Sequence, residues 1–185
     1  VRAGVVADVT RLRAVHAVRR DRVVVDAGAT WREVLAATLP QGRTPPVLTD
    51  YLDLSVGGTI AVGGVGATTP RFGVQSDTVL EMQVVTGRGD VLTCSPERHA
   101  DLFDAVRGGL GQVAVVTRAT LGLVAAPAQV RRYQLYYRDL PAFLADERQL
   151  DRDGRFDSVQ GAVLASPAGG WAFRIEAVKE FSGRP

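Results

Sequence analysis

The sequence has little that could cross-link the chain or bind a metal ion. Cys94 is the single cysteine among 185 residues, which excludes an internal disulfide and a cysteine-based zinc site. No histidine or basic residue stands directly beside it, which is typical of a buried structural thiol rather than a nucleophile. The two histidines, His16 and His99, lie far apart in the chain, so no metal site is predicted.

Long apolar runs and a strong charge imbalance are also missing. No run approaches the roughly 18 apolar residues of a membrane-spanning helix, so no membrane partner is predicted. The net charge is only +2, and Lys179 is the single lysine, an arginine preference that indicates a GC-rich bacterial gene. The densest basic stretch, residues 11–22, has no stacking aromatic residue, which argues against a nucleic-acid groove and favours a solvated turn between strands.

The ends of the chain suggest that it is incomplete. It begins at Val1 without a methionine and enters a strand-like pattern at once, and it ends just after another strand-like run. Nothing in it resembles a signal peptide, and a cytoplasmic location is predicted.

Periodicity predicts an α+β chain with a boundary near residue 127. The predicted elements of the first part are strands at 4–10 and 22–29, a helix at 29–40 with a capping box from Thr30 and Glu33, a hairpin at 78–95, a helix from an N-cap at Ser95, and a strand at 113–124. The second part is predicted to contain a strand at 131–140, a helix at 141–150 and a strand at 156–164.

The most unusual stretch is "LTDYLDLSVGGTIAVGGVG", residues 48–66. Each glycine inside an element costs roughly 0.5–1 kcal/mol relative to alanine, so this many small residues needs a reason. Either several tight turns pack together here, or a flat or anionic group lies on the backbone. Asp50, at the edge of the stretch, is either a solvated turn residue or a carboxylate at the rim of a cofactor floor.

Two glycine motifs do not fit nucleotide-binding folds. "GLGQVA", residues 109–114, matches a dinucleotide fingerprint in letters, but it follows a predicted helix and leads into a strand, the reverse of the required order. "GGVGAT", residues 63–68, lacks the Gly-Lys-Ser/Thr ending of a phosphate-binding loop. Neither a Rossmann NAD site nor a P-loop is predicted.

Four segments in order carry a resemblance: "TDYLDLSVGGT", "VVTGRGDVLTCSPE", "DLFDAV" and "GGLGQVAVVTRA". Over residues 5–125 the chain resembles the flavin domain of cytokinin dehydrogenases, within the vanillyl-alcohol-oxidase or p-cresol-methylhydroxylase type of FAD oxidoreductase. The resemblance implies that residues 1–126 form the second subdomain of an FAD-binding domain, a mixed or antiparallel sheet with flanking helices. Residues 127–185 would begin an α+β substrate domain.

By this resemblance the cofactor is FAD and the partner is a small-molecule substrate. Asp50 matches the family's catalytic aspartate, which pairs with the substrate N–H while hydride passes from the adjacent carbon to the flavin. The implied cofactor contacts are Ser55, Gly57, Gly58, Thr59, Ala61, Val65 and Val116. Ala61 stands where plant members usually carry serine, and Phe72 replaces a usual histidine.

The resemblance implies an FAD-dependent oxidoreductase that takes hydride from the C–N bond of a cytokinin-like amine. Two other interpretations stay open. A sibling flavoenzyme would oxidise the C–OH of a sugar, lactone or alcohol, and a non-catalytic fragment would bind no flavin. The electron acceptor, oxygen or quinone, is not specified by these residues.

Overall fold

Antiparallel sheets form the framework of the chain. The structure, a computed structural model, describes residues 6–166 and 169–183. The chain divides into two compact units, Val1–Ala126 and Pro127–Pro185. The division falls in the Pro/Ala-rich stretch near residue 127, while the assignment of the two units as flavin and substrate domains stays a prediction.

The first unit is built on a five-stranded antiparallel sheet. The strands of the unit, in chain order, are β1 (Val15–Val18), β2 (Arg22–Asp26), β3 (Arg43–Thr44), β4 (Val79–Thr86), β5 (Val91–Cys94), β6 (Ala114–Gly122) and β7 (Val124–Ala125). The order across the sheet is β1-β2-β6-β4-β5, and β3 pairs separately with β7. β6 lies at the centre and pairs with both β2 and β4.

Helices cover one face of this sheet. They are α1 (Trp31–Thr38), α2 (Val56–Val62) and, after the short α3 (Thr69–Phe72), α4 (Ala100–Val106). Short 3-10 turns lie at Leu39–Gln41 and Gln75–Thr78, and α3 packs against the second of them. The predicted capping box starts α1: the Thr30 hydroxyl accepts from the Glu33 amide, and the Glu33 carboxylate accepts from the Thr30 amide. That prediction is confirmed.

The core of the first unit lies between the sheet and these helices. Its large, fully buried side chains are Val23, Val25, Trp31, Val34, Ile60, Met82, Phe103 and Leu121. They come from β2, β4, β6, α1, α2 and α4, so burial of this apolar surface holds the glycine-rich α2 against the sheet.

The second unit is a smaller sheet with one helix. It contains β8 (Gln129–Tyr137), α5 (Leu140–Asp153), β9 (Ser158–Ala165) and β10 (Trp171–Phe181), with β10 in the middle of the antiparallel order β8-β10-β9. Phe143 of α5 contacts the rings of Tyr137 and Phe173 on the sheet. The two strands and the helix that the sequence predicts here are confirmed.

Three local predictions in the first unit are wrong. Residues 6–9 form no regular structure, although a strand was predicted at 4–10; residues 4 and 5 lie outside the described residues. The stretch 11–22 is not merely a solvated turn, because it contains β1. Ser95 does not cap a helix: it pairs with Arg98 in a turn, and α4 begins only after His99, whose φ of 51° is left-handed.

Three further observations concern membrane-spanning helices, metal sites and the cysteine. No helix within the described ranges is both long and apolar enough to cross a membrane. Among the same residues, no group of three or more histidine, cysteine, aspartate or glutamate side chains is placed to hold a metal ion. Cys94 is buried, as predicted, and burial raises the pKa of its thiol, with a further contribution from the charge of Glu81.

A polar cluster ties β1 to β2 and β6. Asp26 is buried, and its Oδ1 lies 2.6 Å from His16 Nε2 and 3.3 Å from Arg118 Nε, while its Oδ2 accepts from the Ala14 amide. Burial acts to raise the pKa of Asp26, but the hydrogen bonds from these three partners outweigh it and lower the pKa below its ordinary value. The ionised carboxylate therefore stabilises the fold.

Replacing Asp26 with asparagine is expected to lower the free energy of unfolding at pH 7 by about 1–3 kcal/mol, since the charged hydrogen bonds are lost. Because the folded pKa is depressed, this contribution is present above the unfolded pKa of about 3.9 and disappears as the pH falls through the folded value. Urea denaturation between pH 7 and 2, followed by Trp31 fluorescence in a Trp171→Phe background, measures it.

The exposed Asp101→Asn is the charge-matched control and should leave stability within about 0.5 kcal/mol of wild type. Equal acid sensitivity of wild type and Asp26→Asn would contradict the assignment.

Candidate functional site

The glycine-rich stretch folds into α2 and the loops that flank it. The first residues of α2 lie beside the segment that leaves β2: the Val56 amide donates to the Ala29 carbonyl at 2.8 Å, and the Gly57 amide to the Ala27 carbonyl at 2.7 Å. Ser55 occupies the N-cap position in extended backbone geometry. These bonds hold the first turn of α2 against the end of β2.

A cavity of about 200 Å³ opens beside this turn. Its lining residues are Val9, Ala27, Ser55, Gly57, Gly58, Ala61, Val106, Gly111, Ala114, Val115 and Val116. They come from the segment before β1, the residue after β2, the start of α2 and α2 itself, the end of α4, the loop before β6, and β6. The glycine-rich stretch and the "GLGQVA" stretch therefore form parts of one wall, although the latter is no Rossmann fingerprint.

Most of the cofactor contacts that the resemblance implies lie on this wall: Ser55, Gly57, Gly58, Ala61 and Val116. Sequence reasoning missed the contributions of Ala27, Gly111 and Ala114. Gly111 and Ala114 are small residues of "GLGQVA", so this stretch carried a signal for the wall although it is no Rossmann fingerprint. Ala27 had no local signal, because its place depends on how β2 meets α2.

The lining is apolar and carries no charge among its described residues. The Ser55 hydroxyl is its side-chain hydrogen-bonding group, next to Gly58, where an added Cβ would lie 2.9 Å from Ser55 Oγ. A volume near 200 Å³ is below the roughly 300–1,000 Å³ typical of sites for drug-sized ligands. The cavity therefore suits one flat, uncharged group of a larger molecule better than a diphosphate.

Thr59 has a structural position instead of a place on the wall. It is buried, its hydroxyl accepts a hydrogen bond from Trp31 Nε1 at 2.9 Å, and it donates to the Val56 carbonyl at 3.2 Å. These contacts join α2 to α1. Val65 also lies away from the cavity lining, with its side chain 69% exposed.

Several glycines are explained by close packing within the protein. A Cβ on Gly57 would lie 2.8 Å from the Ala27 Cβ, and one on Gly66 would lie 2.0 Å from the Leu48 carbonyl oxygen. Gly64 has a φ of 71°, a left-handed conformation that favours glycine. Of the two explanations that the sequence leaves open, the close packing of backbone is confirmed at these glycines, while a flat or anionic group on the backbone stays a prediction.

Asp50 lies in an exposed bend outside the cavity lining. Ser55 follows it five positions later in the chain, so the two Cα atoms are at most about 18 Å apart. Nearby Asp53 is engaged elsewhere, because its carboxylate accepts from Arg32 Nε at 2.7 Å, and this hydrogen bond lowers the pKa of Asp53. Asp50 is therefore joined to the cavity wall in sequence by the 50–55 segment.

Comparison with known proteins identifies the family of the chain. The family described as "FAD binding domain" matches residues 1–95. An uncharacterized oxidoreductase, ORF5 in the fasciation locus of Rhodococcoides fascians, is 46% identical over 179 residues, which cover 97% of this chain and 41% of that protein. The chain spans less than half the length of this relative.

Plant relatives are similar to most of the chain as well. Cytokinin dehydrogenase 7 of Oryza sativa subsp. japonica is 44% identical over 174 residues, covering 86% of this chain and 32% of that protein. Cytokinin dehydrogenase 3 of Arabidopsis thaliana is 43% identical over 152 residues, covering 80% of this chain and 29% of that protein. The resemblance to cytokinin dehydrogenases is confirmed.

Replacing Gly57 with alanine is expected to lower the free energy of unfolding by about 1–3 kcal/mol, because the added methyl group would lie too close to the Ala27 Cβ atom. Gly87→Ala is the matched control, since an added Cβ there has open space around it. Urea denaturation followed by Trp31 fluorescence compares the two. Equal stability of both variants would show that α2 can move away from β2 at little cost.

Proposed function

The chain belongs to the FAD binding domain family, whose cofactor is FAD, and we propose that the cavity beside α2 holds an uncharged part of FAD in an oxidoreductase that acts on a cytokinin-like amine. The observation that carries the proposal is the convergence of Ser55, Gly57, Gly58, Ala61 and Val116 on one cavity. The first four lie at the start of α2 and within it, whereas Val116 is distant in sequence and is brought to them by the fold.

The residues present fit this cofactor. Gly58 and Ala61 leave the wall flat enough for a ring system to lie against α2, and Val116 adds an apolar contact from β6. Ser55 offers a hydroxyl at one edge. Where plant members usually carry serine, Ala61 provides no hydroxyl, so hydrogen bonds to the phosphates must come from other groups.

FAD supplies the acceptor for hydride when it is bound, and the protein supplies orientation and proton transfer. We assign to Asp50 the role of accepting the proton that the substrate loses. Its carboxylate accepts the substrate N–H proton while the adjacent carbon loses hydride, and the amine becomes an imine. A positioned carboxylate in this role contributes about 10²–10⁴ to the rate.

A C–N bond is the proposed site of oxidation because relatives similar over most of the chain are named cytokinin dehydrogenases. Phe72 is the last residue of α3, and the Arg71 guanidinium lies 4.7 Å from the centroid of its ring. Members of the family that the chain resembles usually carry histidine at this position.

Oxygen and quinone are the candidate electron acceptors, and a cytoplasmic location stays a prediction.

Ala61→Phe in the full-length protein is expected to weaken FAD binding at least tenfold, about 1.4 kcal/mol, because the ring fills the cavity. Val62→Phe is the matched control, since Val62 is the next residue of α2 and is 63% exposed. FAD titration followed by quenching of flavin fluorescence measures both affinities. Equal affinity of the two variants would place FAD elsewhere.

Asp50→Asn in the full-length protein is expected to slow flavin reduction by a cytokinin about 10²–10⁴-fold while FAD content stays unchanged. Anaerobic single-turnover reduction, followed at the flavin absorption band, gives the rate. Asp53→Asn is the control, because Asp53 is a neighbouring acid already paired with Arg32. If Asp50→Asn is reduced at the wild-type rate, the proton assignment is wrong.

A further inference from the structure

The segment that leads into Asp50, residues 45–50, is fastened by side chains from a later part of the chain. Thr68 Oγ1 donates to the Pro46 carbonyl at 2.8 Å, and Gln75 Nε2 donates to the Val47 carbonyl at 3.2 Å. Both bonds act on carbonyls just upstream of Asp50. The path of the backbone into Asp50 is therefore set partly by residues that are distant in sequence.

A close backbone approach adds a third tie to the 45–50 segment. At Gly66 an added Cβ would lie 2.0 Å from the Leu48 carbonyl oxygen, so only glycine allows the two chains to lie this near. The contacts to Pro46, Val47 and Leu48 follow one another along the segment. They hold it as a continuous strip against residues 66–75.

Gln75 is an unusual residue for such a position. Its side chain is fully buried, and within the described residues its Oε1 has no hydrogen-bond partner. That oxygen points toward Gly64, where an added Cβ would lie 2.1 Å from it. An unpaired buried oxygen is unfavourable, and a leucine would fill the same space without one. Packing alone does not account for glutamine here, whereas the bond to Val47 does.

We propose that Gln75 is a positioning residue for Asp50, acting through the Val47 carbonyl, with Thr68 as its companion at Pro46. The inference rests on the proposed function, in which Asp50 receives the substrate proton. Val47 is buried, so its carbonyl is a fixed point from which the exposed Asp50 extends. Misplacing a catalytic group by about 1 Å can lower a rate by about 10²-fold, so this tie matters to the reaction and not only to stability.

The test uses the full-length protein loaded with FAD and a cytokinin as the reducing substrate. Gln75→Leu should slow single-turnover flavin reduction by about tenfold or more, while the flavin content and the oxidised absorption spectrum stay unchanged. Hydrogen exchange of the amides at 47–50 should become faster. Gln41→Leu, at an exposed glutamine, is the control and should change neither quantity.

Thr68 provides an independent pair of variants should Gln75→Leu fold poorly. Thr68→Val removes the hydroxyl with little change in shape and should slow reduction, whereas Thr68→Ser keeps the donor and should restore the wild-type rate. In the double variant Asp50→Asn/Gln75→Leu, the second change should add little to the first, because both act on the same proton transfer.

The outcomes separate this inference from the proposed function. If Asp50→Asn slows reduction but Gln75→Leu and Thr68→Val do not, the positioning role is overturned and the proposed function stands. A loss of rate that only parallels a loss of bound FAD also overturns it. If the cytokinin does not reduce the wild type, the proposed function fails, and unchanged exchange at 47–50 in Gln75→Leu would overturn the tie itself.

Discussion

The close approach of α2 to the end of β2 is the constraint on which the rest of the first unit depends. The Gly57 amide donates to the Ala27 carbonyl at 2.7 Å, and a methyl group at Gly57 would meet the Ala27 side chain. Because α2 lies this near, Ile60 reaches the core and Ala61 reaches the cavity. The glycine content thus sets both the packing and the shape of the wall.

The chemistry of the site is divided between two kinds of surface. The cavity wall is apolar, so it offers contact and exclusion of water but little electrostatic recognition. The carboxylate of Asp50 lies outside that lining, on a segment fastened by Gln75 and Thr68. Different residues therefore position the cavity wall and the Asp50 carboxylate, so the two surfaces can change independently of each other.

Local signals predicted the elements that depend on local physics. The capping box of Thr30 and Glu33 specifies the start of α1, and alternation of apolar residues specifies β6, because both effects act within a few residues. β1 escaped prediction because its residues resemble a basic turn and become a strand only through pairing with β2. Ser95 and Pro96 gave a strong helix-start signal, but the turn to Arg98 competes with it and displaces the helix start to Ala100.

The sequence by itself determined the class of fold, the family resemblance and the small-residue wall, since these follow from patterns of neighbouring residues. Tertiary structure alone decided which of those residues share a cavity. It placed Ser55, Ala61 and Val116 together and added Ala27 and Gly111 to the wall. It also placed the Thr59 hydroxyl where it accepts a hydrogen bond from the Trp31 indole. The reason is physical: a side chain's role depends on the neighbours that packing supplies, and those neighbours come from helices, loops and strands far apart in the chain.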